Sequence, residues 1–149
     1  MSNDIMDGFK AAIPEQYRNQ FEFIPEYIHQ GNTELVKIAI NKFIQFSNVD
    51  IVSGIVSYQL IPEIQKILEN KKKLGFFFDF GEYIRPLEPL SKNLFFNSLK
   101  MWQQEFALGK WAQQKFGEKG AMLTSMYDAG FHLHSSFWQG AITAGAKEI

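Results

Sequence analysis

Residues able to grip a small molecule are sparse in this chain and gather in four short segments, 27–32, 53–58, 79–82 and 127–130. They offer hydroxyls at Ser53, Ser57, Tyr58 and Tyr127, a carboxylate at Asp79, an apolar ring at Phe80 and a bare backbone at Gly81. Such a set suits hydrogen bonding and stacking around a small polar solute. Catalytic patterns are missing. Ser53-Gly54 lacks the G-x-S-x-G frame of a nucleophile elbow, and no Gly-rich phosphate loop or G-x-G-x-x-G follows an apolar run. His132 and His134 stand two apart, which on a helix puts them on different faces, and His29 is distant. They are read as surface or capping residues rather than metal ligands. With no cysteine there is no thiol nucleophile, disulfide or thiolate metal site. Asp79 without a neighbouring acidic pair does not make a phosphoacceptor. The expectation is a binding protein and not an enzyme, with no cofactor and no metal.

These segments need elements to hold them. Residues 3–13 predict a short helix closed by Pro14, with Ile5, Phe9 and Ala12 at helical spacing. Residues 20–28 alternate apolar and polar in their first half and predict a strand, weakened by Pro25. Residues 33–47 read as an amphipathic helix with Leu35, Val36, Ala39, Ile40, Phe43, Ile44 and Phe46 on one broad face. A β-branched run at 49–52 predicts a buried parallel strand, with the loop beginning at Ser53-Gly54. A helix from about 59 to 72 follows, its Pro62 in the first turn and its Lys71-Lys72-Lys73 run at the end that favours cations. Strands are predicted at 75–78, 94–97 and 121–126, and helices at 101–116 and 130–144, the last capped by Gly145. Trp102, Phe106, Trp111 and Trp138 are read as helix-packing residues.

Strands alternating with helices predict an α/β fold, a three-layer parallel sheet with helices on both faces. In such sheets ligands bind outside the carboxyl ends of the strands, where the four polar segments fall. The 149 residues suffice for one ordinary domain, and 46% hydrophobic content with 15 Phe provides for a dense core or for aromatic surfaces awaiting a partner. A net charge of −1 without a basic stripe gives nucleic acid nothing to hold. No 18-residue apolar run and no signal-peptide pattern at the N-terminus occur.

The order of segments resembles the type I periplasmic solute-binding proteins, the branched-chain amino acid and amide receptor group of ABC transporters. Residues 48–57, Asn-Val-Asp-Ile-Val-Ser-Gly-Ile-Val-Ser, are similar to that family's third strand and its Gly-hydrophobic-hydrophobic-Ser ligand loop. Residues 74–78 resemble the fourth strand, and 93–98 the short strand after it, with Asn97 where relatives carry Arg. Tyr127-Asp128-Ala129-Gly130-Phe131, then 137–140 and 144–149, resemble the family's tyrosine, glycine and Ala-Gly-Ala-Lys pattern. The resemblance implies two lobes closing on a ligand. Residues 1–100 would form the first lobe without its leading strand, and 101–149 the crossover helix and the start of the second lobe. It implies a small-molecule solute held by Ser57, Tyr58, Asp79, Phe80, Gly81 and Tyr127. A membrane permease or sensor would be the partner and a periplasmic or extracytoplasmic site the location, if the protein is longer. Tyr58 and the acidic Asp79 depart from the family pattern for a free α-amino acid. A sheet lacking its central strand is expected to self-associate through exposed edges. An intracellular effector-binding domain and a flavodoxin-like enzyme are the other readings of the same α/β order.

Overall fold

The computed structural model describes residues 2–28, 33–84, 89–117, 120–123 and 130–147. The chain divides into two compact units, Met1–Ala39 and Ile40–Ile149. The first contains α1 (Ser2–Ala12), a 3₁₀ turn at Glu15–Gln20 and the start of α2 (Thr33–Gln45). Tyr17 donates its backbone N–H to the Pro14 carbonyl at 2.9 Å, so Pro14 closes α1 and opens the next turn. The strand expected over 20–28 is not formed: 21–28 carry no ladder, although Phe21 has extended dihedrals. Alternation makes a chain extended, but a strand exists only through a partner edge. A depression of about 500 Å³ lies in this unit, lined by Ala11, Ile13, Phe21 and Phe23 with Lys10 and Arg18. The Lys10 ammonium stands 5.8 Å over the Phe23 ring.

The second unit holds the end of α2 and then β1 (Ile51–Ile55), a 3₁₀ turn at Tyr58–Leu60, α3 (Ile61–Lys71), β2 (Leu74–Asp79), β3 (Leu94–Ser98), α4 (Met101–Phe116) and α5 (Gly130–Thr143). The strands form a parallel sheet in the order β1-β2-β3, with Val52 opposite Gly75, Gly54 opposite Phe77, Phe77 opposite Phe96, and Asp79 opposite Ser98. The class is thus α/β with a small parallel sheet. β1 runs two to three residues later than the sequence suggests. Asn48 turns with φ 47°, and Asp50 is held by the Lys73 ammonium at 3.5 Å, ahead of the ladder. Lys73 also donates to Asn48 Oδ1 at 3.1 Å, and Asn93 Nδ2 donates to the Lys73 carbonyl at 2.6 Å. These polar clasps fasten the amino end of the sheet.

The two faces of the sheet differ. One carries Val52, Gly75, Phe77, Asp79 and Leu94, all buried. Against it α3 places Ile61, Ile64 and Leu68, and these with Phe77 are the largest side chains shielded almost entirely from solvent. Gly75 makes this approach possible: a Cβ there would lie 2.6 Å from Leu68 Cδ1 and 2.8 Å from the Phe77 ring. The opposite face carries Ile51, Ile55, Leu74 and Phe95, all exposed, with Phe76 and Phe78 half-buried between them. Phe76 and Phe95 stack there with centroids 4.7 Å apart. The expectation of helices over both faces is therefore not met. The crossover from β1 to β2 delivers α3 to one side only, and among the described residues the link from β2 to β3 carries no helix. β1 and β3 each pair only with β2 among the described residues.

α4 and α5 pack closely through two glycines. A Cβ on Gly109 would overlap the Phe137 carbonyl, and one on Gly140 would overlap the Phe106 carbonyl. Each helix thus lays its backbone directly on the other, in opposite chain directions. Trp102, Phe106 and Trp138 are half-buried as expected of packing residues, whereas Trp111 is exposed and meets only the ring of Phe116 among the described aromatic contacts. Of the strand expected over 121–126, residues 121–123 form no ladder and 124–126 lie outside the described residues. Gly145, with φ 102°, ends α5 as expected.

Candidate functional site at the carboxyl end of the sheet

Three strand ends and the helix starts that follow them meet at one edge. After β1 the Val56 N–H donates to the Phe78 carbonyl at 3.0 Å, which holds the chain against β2 until it turns into the 3₁₀ segment. Ser57 caps that turn, its hydroxyl accepting from the Gln59 N–H at 3.4 Å. Tyr58 then folds inward and is only 5% exposed. Its ring meets Phe96 of β3 edge-on at 5.0 Å and lies nearly parallel to Tyr83 at 6.4 Å. Tyr83 in turn packs on His132 of α5, centroids 4.4 Å apart. A continuous aromatic wall, Phe96–Tyr58–Tyr83–His132, therefore runs across this edge.

Asp79, the last residue of β2, is 7% exposed. It lies on the same sheet face as Phe77 and Phe96, one pleat further along, or about 7 Å at two residues of strand rise. Gly81 follows with φ 81°, in the left-handed region that favours glycine. A Cβ there would overlap the backbone of Lys100. This close approach lets the Phe80 and Gly81 carbonyls accept from the Met101 and Trp102 N–H groups, at 3.0 and 2.9 Å. The loop after β2 thereby seals the amino end of α4.

The sequence-predicted residues are thus separated by role. Tyr58, Asp79 and Gly81 come together at the edge and are buried, and Phe80 is half-buried beside them. Ser57 sits in the same loop as a helix cap. Tyr127 lies outside the described residues. Ser53 and Gly54 are not in the loop after β1 but within the strand, and Ser53 is paired with Phe76 on the open face. Sequence reasoning missed Tyr83, Phe96 and His132 as wall residues. The usable signal was Tyr83, the residue just past the nominated segment 79–82. His134 instead accepts from the Trp138 indole N–H at 2.7 Å. Among the described residues no group of three or more His, Cys, Asp or Glu side chains is arranged to hold a metal ion. No described helix is long and apolar enough to cross a membrane.

The fold and the edge together define a parallel α/β module with an aromatic and acidic carboxyl end. Comparison with known proteins returns no family model, no characterised protein and no solved structure that matches the chain.

Proposed function

We propose that the protein binds a small polar solute, an amino acid, amide or small carboxylate, at the carboxyl end of its sheet and performs no chemistry on it. The observation that carries this reading is the convergence of Tyr58, Tyr83, His132 and buried Asp79 where parallel sheets take their ligands. The rings give contact area and the carboxylate gives orientation. The sequence resemblance supplies the wider setting: a type I solute-binding lobe with its second lobe beginning beyond α4, reporting to a membrane permease or sensor from an extracytoplasmic location. In that setting the open apolar sheet face and the strand edges favour self-association of this chain.

Titration calorimetry with amino acids, amides and small carboxylates tests the reading. Saturable binding to the wild-type chain is expected, weakened about tenfold or more by Tyr58→Ala or Tyr83→Ala, the scale of one lost aromatic contact in a buried site. Heat from none of the probes, or affinities indifferent to both substitutions, would overturn it.

A further inference from the structure

The carboxyl ends of parallel strands ordinarily favour anions, because helix amino ends with free N–H groups point there. At α3 and α4 those groups are occupied. At α4 the Met101, Trp102 and Gln103 N–H groups donate to the carbonyls of Phe80, Gly81 and Lys100 at 3.0, 2.9 and 2.9 Å. At the start of α3, Gln59 donates to the Ser57 hydroxyl, Leu60 to the Ser57 carbonyl and Ile61 to the Tyr58 carbonyl, and Pro62 has no N–H. An anionic group would have to break these bonds to be gripped at the amino end of α3 or α4.

What the edge presents instead is π surface and negative charge. Tyr83 and His132 are half-buried, with Tyr58 behind them. Asp79 is buried one pleat from Phe96, and half-buried Glu82 lies in the same loop as Tyr83. The one cation on the described segments 55–60, 79–84 and 98–101 is Lys100, which is exposed. The faces of aromatic rings attract cations, and a carboxylate at the same strand end supplies a counter-charge when ionised.

We propose that the solute taken at this edge carries an organic cation, its ammonium group seated on the Tyr58–Tyr83–His132 wall with Asp79 as counter-charge. The proposal rests on the solute-binding reading above and narrows it: a neutral amide or a carboxylate without a cationic group is the weaker ligand. Anion recognition is disfavoured by the sealed amino ends of α3 and α4, and selectivity comes from charge at one end of the ligand.

The test compares matched probes on the intact chain: choline, its uncharged isostere 3,3-dimethylbutanol, butyramide and butyrate, each titrated by calorimetry. Choline is expected to bind at least about tenfold more tightly than the isostere, a preference within reach of a desolvated cation–π contact joined to a counter-charge. Asp79→Asn, which keeps the side-chain shape, is expected to erase most of that difference, and Tyr83→Leu to weaken choline more than the isostere. Far-ultraviolet circular dichroism of both variants checks that they fold. If butyramide or butyrate binds at the Tyr58–Tyr83 wall and choline does not, the cation preference is wrong while solute binding stands. If no probe binds, both fail. If choline binds equally well to Asp79→Asn, the counter-charge assignment is wrong.

Discussion

The two faces of the sheet are built from the same three strands, with the same apolar residue types, yet they have opposite fates. On one, Leu68 of α3 is wholly shielded and rests over Gly75. On the other, Phe95 is 52% and Ile51 47% exposed. Strand composition therefore does not decide which face becomes core. The crossover does, because a right-handed β-α-β link can deliver its helix to one side only. The covered face carries the stability of the second unit, and it also carries the site, since Asp79, Phe96 and Tyr58 all belong to it. The open face carries neither.

The largest way to break this contrast is on the covered side. Leu68→Ala removes a fully buried side chain at the centre of the α3–sheet interface and is expected to lower unfolding free energy by about 2–5 kcal/mol. Urea denaturation followed by circular dichroism measures it. A loss below about 1 kcal/mol, typical of surface positions, would show that α3 does not hold the sheet as described. Gly75→Val attacks the same contact from the strand. The new side chain meets Leu68 and Phe77 at distances real Cβ atoms do not show, and an overpacking loss of about 1–3 kcal/mol is expected. A stabilisation, as strand propensity alone would give, would show that Leu68 has room to move aside.

Much of this was legible in the sequence where local pattern and tertiary setting agree. The helical stripe Ile61, Ile64 and Leu68 is the buried face of α3, and the Gly75-Phe76-Phe77-Phe78 run lies within β2. The span from Met101 to Phe116 is α4 as read. Pattern failed where the structure depends on a partner. Residues 20–28 alternate as a strand should, yet no edge pairs with them. Val49 is β-branched, but Asp50 is a poor strand residue, and the ladder begins only at Ile51 and runs on through Ser53 and Gly54. The apolar runs of β1 and β2 suggested cover on both faces, because periodicity reports hydrophobicity and not the side to which a crossover goes. The site divided in the same way. Tyr58, Asp79 and Gly81 were found because strand ends are local features. Phe96, Tyr83 and His132 were not, because they meet Tyr58 or each other from elements far apart in sequence.

The smallest effect on stability is the sharpest statement about the open face. Phe95→Lys puts a charge on an edge strand, at a position half in solvent and stacked only on Phe76 among the described aromatic contacts. A surface substitution of this kind changes stability by about 0.5 kcal/mol or less, and the lost ring stacking adds no more than a comparable amount. Its effect on association is expected to be larger. Natural edge strands use lysine to block pairing with other chains, and a charge amid Ile51, Ile55, Leu74 and Phe76 would be costly to bury against a second copy. Sedimentation velocity over a concentration series should therefore show less self-association for Phe95→Lys than for the wild type, at nearly unchanged urea midpoint. Destabilisation approaching that of Leu68→Ala would mean that Phe95 is packed in solution, and that the two faces are more alike than their exposures indicate.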